Sequence, residues 1–147
     1  SGEGVRKNYT EAVRLYRMAA AQGNADAMNN LGASYSSGLG VRQDFAEAVR
    51  LYRMAADHGS ADGMNSLGYR YKNGQGVEKD EAEAVRWYRK AAELGDAAAQ
   101  NNLGTCYAMG EGVEKDEAEA EKWFRKAADQ GYPPAQRNLS RLHGIPA

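Results

Sequence analysis

Few side chains in this sequence could act as an acid, a base or a nucleophile, and each has a simpler explanation. The chain has two histidines, His58 and His143, and one cysteine, Cys106. His58 stands just before Gly59, where a histidine complements the negative end of a helix, and His143 stands where the repeat places a tyrosine. Cys106 occupies a small-residue position, and both histidines that could activate it are distant in sequence. We predict no catalytic residues and no enzymatic activity.

Two acidic runs resemble metal-binding clusters only in isolation. The runs Glu78–Glu81 and Glu114–Glu117 recur at the same position of a repeat, at predicted helix starts, so capping and the helix dipole explain them. A single cysteine permits neither an intrachain disulfide nor a cysteine-based metal site. The Gly-x-Gly-Val stretches lack the lysine and the preceding strand of a phosphate loop. We predict no metal and no cofactor.

Basic residues recur beside acidic ones along the first helix of each repeat. The basic positions are Arg14, Arg50, Arg86 and Lys122, and the acidic ones are Glu11, Glu47, Glu83 and Glu119. We interpret them as solvated ion pairs between repeats, each contributing little to stability. Binding to an anionic surface is the alternative.

Amide side chains form a row that could bind a peptide backbone. The residues predicted to contact a partner are Asn29, Asn30, Asn65, Tyr69, Asn101, Asn102, Arg137, Asn138 and Arg141. An Asn side chain offers donors and an acceptor that match a peptide unit, and packed helices about 10 Å apart are spanned by about three extended residues. Tyr69, Arg137 and Arg141 would set specificity, since arginine can pair with a carboxylate on the partner. Alternatively, the Asn residues bond between repeats and the arginines only solubilise the last unit.

These positions follow a repeat of 36 residues. Paired glycines open each copy, at Gly2/Gly4, Gly38/Gly40, Gly74/Gly76 and Gly110/Gly112. Fixed self-similarity at this period is typical of a solenoid of stacked units. We predict one domain over residues 1–147, with repeats that begin near Gly2, Gly38, Gly74 and Gly110. Because the chain opens at Ser1 inside a repeat, we expect it to be a fragment of a longer protein.

Each repeat is predicted to hold two helices. The first begins at a capping box in which the first residue caps the helix and the glutamate reaches back, namely Asn8/Glu11, Asp44/Glu47, Asp80/Glu83 and Asp116/Glu119. The second carries a Leu-Gly-x-x-Tyr motif whose glycines are Gly32, Gly68 and Gly104. Glycine inside a helix suggests that another backbone packs there too closely for a side chain. In the last copy Ser140 and His143 replace the glycine and the tyrosine, which is typical of a terminal unit.

Composition narrows the function classes further. Hydrophobic residues make up 42% and charged residues 27% of the 147 residues, which is typical of a globular chain. The net charge is −1, from 19 basic and 20 acidic residues, so a general nucleic-acid binder is not expected. No apolar run approaches the roughly 20 residues of a membrane span, so no membrane insertion is predicted.

With these residues in hand, the chain resembles the Sel1-like repeat family, a relative of the tetratricopeptide repeats. The residues that meet the family pattern in one copy are Ala99, Leu103, Gly104, Tyr107, Gly110, Gly112, Val113, Asp116, Ala120, Trp123, Phe124, Lys126, Ala127, Ala128 and Gly131. The mild departures are Gly63 for Ala, Asn8 for Asp, Leu15 and Leu51 for Trp, and Met18 and Met54 for Lys.

The resemblance implies an all-α fold, a right-handed superhelical solenoid of antiparallel helix pairs whose Leu-Gly-x-x-Tyr helices line a concave groove. It also implies a non-enzymatic adaptor or scaffold that binds a protein or peptide. Family members occur in signalling complexes, in protein quality control and in bacterial envelope proteins, so the cytoplasm and the periplasm both remain open. Two alternatives remain: a structural spacer or self-association module, and a groove for a small molecule or glycan.

Overall fold

A computed structural model describes residues 2–144 of the protein, and these residues form eight α-helices. The helices are α1 (Gly2–Ala21), α2 (Ala25–Ser37), α3 (Phe45–Asp57), α4 (Ala61–Asn73), α5 (Glu81–Glu93), α6 (Ala97–Met109), α7 (Glu117–Asp129) and α8 (Pro133–Leu142). No strand occurs in residues 2–144. The predicted all-α repeat fold is confirmed.

Aspartate caps begin three of the odd-numbered helices, as the sequence predicts. The Asp44 carboxylate accepts from the Glu47 backbone N–H at 3.1 Å, and Asp80 and Asp116 do the same one and two repeats later. The predicted bond from the glutamate back to the backbone N–H of the capping residue was wrong. The Glu47 carboxylate pairs with Arg50, because residues three apart face each other on a helix, and the Asp44 N–H donates to the Tyr35 carbonyl at 2.9 Å instead.

The even-numbered helices α2, α4 and α6 also begin at side-chain caps. Asn24, Ser60 and Asp96 accept from the backbone N–H three residues later, at 2.8, 3.0 and 2.9 Å. α8 begins instead with Pro133 in its first turn, where the missing N–H has little effect. Local sequence thus fixes the start of both kinds of helix.

The first repeat departs from the predicted pattern, since Asn8 does not begin a helix. α1 begins at Gly2, and Asn8 lies inside it. In later repeats the Gly-x-Gly turn leads out of the preceding helix, and Gly40 has a φ of 80° there. Here the equivalent residues Gly2 and Gly4 belong to one continuous helix, Gly2–Ala21, so no turn forms before Asn8.

The chain divides into two compact units, Ser1–Lys79 and Asp80–Ala147. The first unit holds α1–α4, and its core includes a cluster of Val13, Leu31 and Leu51. The second unit holds α5–α8 and buries Tyr88, Leu103, Trp123, Phe124 and Ala127. That residues 1–147 form a single domain stays a prediction.

Glycine after the motif leucine lets a helix approach an aromatic ring. A Cβ atom would lie 2.7 Å from the Tyr52 ring if added at Gly32, and 2.6 Å from the Phe124 ring if added at Gly104. Tightly packed interiors do not accommodate such separations without a shift. A close approach occurs at both positions, but the prediction that another backbone makes it was wrong, because the nearest neighbour is an aromatic ring.

Candidate functional site

Tyrosine and arginine join the two helices of each of the first three repeats. The hydroxyl groups of Tyr35, Tyr71 and Tyr107 accept from Arg17, Arg53 and Arg89 at 3.0, 2.8 and 2.5 Å. Each guanidinium also lies 5.5–5.9 Å from the centroid of its tyrosine ring, within the range of cation–π attraction. These three arginines therefore link the two helices of their repeat and stabilise the fold.

Four other basic residues of the odd-numbered helices, one in each repeat, pair with a glutamate of their own helix. Arg14 pairs with Glu11 at 2.5 Å, and Lys122 pairs with Glu119 at 3.0 Å, each three residues apart. Arg50 and Arg86 pair with Glu47 and Glu83 in the same way. The expectation of ion pairs between repeats was wrong, because the partner three residues away on the same helix is nearer.

In the first unit, one asparagine of the row bonds to the next repeat and another is exposed. The Asn29 Oδ1 accepts from the Ser66 hydroxyl at 3.2 Å, whereas Asn30 is exposed. Asn65 is half-buried and is not without a partner. Tyr69 is 46% exposed, and the Arg70 guanidinium stacks 4.7 Å from the centroid of its ring. The exposed residues of this face are therefore an amide and a stacked tyrosine.

The second unit buries one amide of the row. Asn101 is only 8% exposed, and its Oδ1 accepts from the Asn138 Nδ2 at 2.9 Å. Asn102 is half-buried and has a partner of its own. Arg137 and Arg141 are exposed. Bonds between repeats are thus present at Asn29–Ser66 and at Asn101–Asn138, while contact of the row with a partner stays a prediction.

A hollow of about 330 Å³ lies among α6, α7 and α8 of the second unit, and we call it the α6–α8 hollow. It is lined by Thr105, Ala108, Met109, Phe124, Asn138, Arg141 and Leu142. Met109 is 68% exposed. The lining is mainly apolar and carries one amide and one guanidinium. Of the residues predicted from the sequence to bind a partner, the structure brings Asn138 and Arg141 together here.

The first unit has a smaller hollow of about 200 Å³ between α1 and α2, which we call the α1–α2 hollow. Its lining consists of Tyr9, Ala12, Tyr16, Asn30, Ala33, Ser34, Ser37 and Leu39. Of the predicted partner-binding residues only Asn30 reaches it. This hollow holds hydroxyl and amide groups but no charged side chain.

Sequence reasoning missed an amide pair in the second unit, in which a buried glutamine bonds to an exposed one. Gln100 is buried, its Nε2 donates to the Ala92 carbonyl at 3.2 Å, and its Oε1 accepts from Gln130 at 2.9 Å. The preceding repeats have Met28 and Met64 at the position of Gln100. A polar residue where the two preceding repeats have methionine was the signal that could have revealed this bond.

The last repeat replaces the tyrosine–arginine contact with an ionic cluster. The Glu121 carboxylate pairs with Arg125 at 2.6 Å and with His143 Nε2 at 3.3 Å. Hydrogen bonds from Arg125, and next from His143, lower the pKa of Glu121. The earlier repeats have Val13, Val49 and Val85 at the position of Glu121, all buried. His143, expected to be structural, takes part in this cluster.

The remaining candidates for chemistry are His58 and Cys106. His58 Nδ1 lies 2.9 Å from the Met54 carbonyl at the end of α3, in line with the predicted helix-end role. Cys106 is buried and does not take part in a disulfide. Residues 2–144 contain no group of His, Cys, Asp and Glu arranged to hold a metal ion. No helix in this part of the chain is both long and apolar enough to cross a membrane.

Solved structures of three bacterial proteins are similar to this chain. A protective antigen of uropathogenic Escherichia coli with the SLR fold is 41% identical over 93% of this chain and 30% of its own, with a TM-score of 0.84. A Sel1 repeat protein from Oxalobacter formigenes is 38% identical over 95% of this chain and 57% of its own, with a TM-score of 0.85. Cysteine-rich protein B of Helicobacter pylori is 29% identical over 95% of this chain and all of its own, with a TM-score of 0.72.

The family model of the Sel1 repeat matches residues 1–24, 25–60, 61–96 and 97–132. These matches keep the 36-residue period, but each full copy starts at an even-numbered helix. The chain spans 30% and 57% of the lengths of the first two similar proteins. No curated protein matches it. On the residues matched, the chain belongs to the Sel1 repeat family.

Proposed function

We propose that this chain is a protein–protein interaction module whose second unit binds an extended peptide segment in the α6–α8 hollow. Sel1 repeats generally mediate protein–protein interaction and generally serve as non-catalytic scaffolds. The observation that carries the finer statement is the hollow itself, which combines an apolar lining with the side chains of Asn138 and Arg141.

The apolar part of the hollow suits one large apolar side chain of the peptide. Met109, Ala108 and Leu142 line it, and Met109 is largely exposed while the hollow is open. A flexible thioether adapts its shape to different bound groups. Burial of a leucine or phenylalanine side chain contributes about 1.5–3 kcal/mol, so this side chain would supply much of the binding free energy.

The polar part of the hollow suits a carboxylate next to that apolar side chain. No carboxylate within residues 2–144 forms an ion pair with Arg141. By contrast, Arg17, Arg53 and Arg89 are bound to tyrosines. A guanidinium binds a carboxylate through two parallel hydrogen bonds. The partner group is therefore an acidic side chain or a C-terminal carboxylate.

Asn138 would position the peptide backbone between these two groups. Its Nδ2 donates to Asn101, and this bond fixes the orientation of the amide. The Oδ1 of Asn138 would then accept from a peptide N–H. Asn101 then acts as a support for Asn138 and not as a contact residue. In the first unit the exposed Asn30 and Tyr69 are the residues that we assign to a partner.

Selection of peptides with free C-termini on the immobilised chain tests this proposal. We expect enriched peptides to pair an apolar residue with an acidic one or with the C-terminal carboxylate. Loss of a charge-assisted hydrogen bond costs about 1.5–3 kcal/mol, so Arg141→Ala should weaken binding of a selected peptide about tenfold to a hundredfold. Fluorescence anisotropy measures the change.

Lys115→Ala is the matched control, because it removes one exposed positive charge that does not line the hollow. It should leave the affinity unchanged. Equal loss of affinity in both variants would mean that general charge attraction drives binding. A folded chain that enriches no peptide would remove the proposal.

A further inference from the structure

Another hollow of the first unit, of about 510 Å³, is bordered by α1, α2 and the turn before α3, and we call it the Arg17–Arg42 hollow. Its lining consists of Arg17, Tyr35, Val41, Arg42, Gln43 and Asp44. Two guanidinium groups, one phenol hydroxyl, one carboxamide and one carboxylate therefore border the same space. The hollow shares no residue with the α6–α8 hollow or the α1–α2 hollow.

Hydrogen bonds fix the turn that forms one wall of this hollow. The Asp44 N–H donates to the Tyr35 carbonyl at 2.9 Å, and the Gln43 Nε2 donates to the Ser36 carbonyl at 2.8 Å. The Asp44 carboxylate accepts from the Glu47 N–H at the start of α3. Because these bonds already order the turn, a ligand that binds there loses little free energy to ordering it.

The guanidinium and hydroxyl groups of the hollow retain donors for a ligand. Arg17 donates from Nη2 to the Tyr35 hydroxyl at 3.0 Å, whereas a guanidinium has five N–H groups and the accepting hydroxyl has a hydrogen of its own. Arg42 is exposed and forms no ion pair with a carboxylate of residues 2–144. The Asp44 carboxylate caps α3, where the helix dipole offsets part of its charge. The hollow therefore favours an anion.

The equivalent hollow of the second unit has the opposite charge at one position. It has a volume of about 470 Å³ and is lined by Tyr107, Val113, Glu114, Lys115 and Asp116. The Asp116 N–H donates to the Tyr107 carbonyl at 3.0 Å, so the turn keeps its backbone bond. Glu114 stands where the first unit has Arg42. The turn thus accepts either charge at this position, and the two hollows differ in charge far more than in size.

We propose that the Arg17–Arg42 hollow binds a phosphate group and that the charge of Arg42 decides this binding. A phosphorylated side chain carries up to two negative charges and three strong acceptor oxygens, which match the two guanidinium groups and the Tyr35 hydroxyl. A carboxylate has one charge and would neutralise only one guanidinium group. Free phosphate and a phosphorylated serine side chain both carry the required group. The proposal is independent of peptide binding, because the two hollows have no residue in common.

NMR titration of the chain tests this proposal with three probes: inorganic phosphate, phosphoserine with both ends blocked, and serine blocked in the same way. We expect a saturable shift of the Arg42 backbone and side-chain signals with both phosphate probes and none with blocked serine. Tighter binding of blocked phosphoserine would support a phosphorylated partner, and tighter binding of inorganic phosphate would support the free anion. Arg42 signals that stay fixed with both phosphate probes would overturn the proposal.

Arg42→Glu gives the first hollow the residue of the second, and should weaken binding of either phosphate probe about tenfold or more. Arg42→Gln serves if the glutamate variant loses helicity by circular dichroism. Arg6→Glu is the matched control, because Arg6 is an exposed arginine of α1 that does not line the hollow. It should leave the affinity unchanged. Equal loss in both glutamate variants would overturn the proposal, since general charge attraction would then explain binding.

The reverse substitution tests whether this turn position is decisive. Glu114→Arg, added to Arg42→Glu, should restore phosphate binding, and the shift should now appear at the signals of Lys115, which lines the second hollow. A folded double variant that binds neither phosphate probe would contradict the decisive role of the charge at this position.

Discussion

The two units share one repeat and one set of helix caps, but their even-numbered helices present different surfaces. In the first unit, Asn30 and Tyr69 are exposed, and the α1–α2 hollow holds only uncharged groups. In the second unit Asn101 is buried, and the larger α6–α8 hollow places Arg141 beside apolar side chains. The repeat therefore fixes the backbone, while a few variable positions decide which chemistry each surface offers.

The largest difference between repeats should appear at the position after the motif leucine. Gly104→Leu drives a side chain into the Phe124 ring, so we expect a loss of about 3 kcal/mol in the free energy of unfolding, at the upper end of overpacking effects. Ser140→Leu, at the equivalent position of α8, should change it by about 0.5 kcal/mol or less. Urea unfolding followed by circular dichroism measures both. Equal effects would show that the glycine contact contributes nothing.

The next largest difference should separate the buried amide from the exposed one. Asn101→Ala leaves the Asn138 amide without its acceptor in a half-buried site, which costs about 1–3 kcal/mol. Asn30→Ala, at an exposed position, should stay within about 0.5 kcal/mol. The same unfolding measurement distinguishes them. A larger effect of Asn30→Ala would reverse the assignment of supporting and exposed amides.

The sequence could predict whatever depends on neighbours along the chain. Caps at Asp44, Asp80 and Asp116 followed from residues three apart, and Gly32 and Gly104 followed from their recurrence inside helices. The Asn8 cap was predicted wrongly, because α1 begins at Gly2 and continues without a break through Asn8. The predicted partner of the Glu47 carboxylate was also wrong, since Arg50 on the same helix pairs with this carboxylate instead.

The candidate site depended on contacts that a sequence does not fix. Asn101 and Asn138 are 37 residues apart, and only packing of α6 on α8 decides whether their amides meet each other or a partner. Met109 and Leu142 gave no signal, because apolar residues at helix ends are common on surfaces. Gln100 did give a signal, as a polar residue in an apolar position. The hollow itself arises from three helices together.

The smallest expected effect compares one carboxylate in each unit. Arg14 lowers the pKa of Glu11, and Arg125 with His143 lowers the pKa of Glu121. A depressed folded-state pKa stabilises the protein above the unfolded value of 4.5 and loses this contribution as the pH falls through the folded value. Glu121→Gln and Glu11→Gln should each slightly reduce the loss of folding stability as the pH falls.

Carboxyl NMR titration of the wild type checks the direction of both shifts. The folded-state midpoints of Glu11 and Glu121 should both lie below 4.5. Because Arg125 and His143 both face Glu121 whereas Arg14 alone pairs with Glu11, the titration of Glu121 should also respond to His143→Gln. A midpoint for Glu121 at or above 4.5 would contradict the ionic cluster.

The assignment of the α6–α8 hollow as a peptide site is tested most directly by methyl NMR with the methionines labelled. Met109 lines the hollow, whereas Met18 is exposed on α1 in the first unit. On titration with a selected peptide, we predict a saturable shift of the Met109 methyl signal and none at Met18. A Met109 signal that stays fixed while the peptide binds, or a Met18 signal that moves instead, would contradict the account.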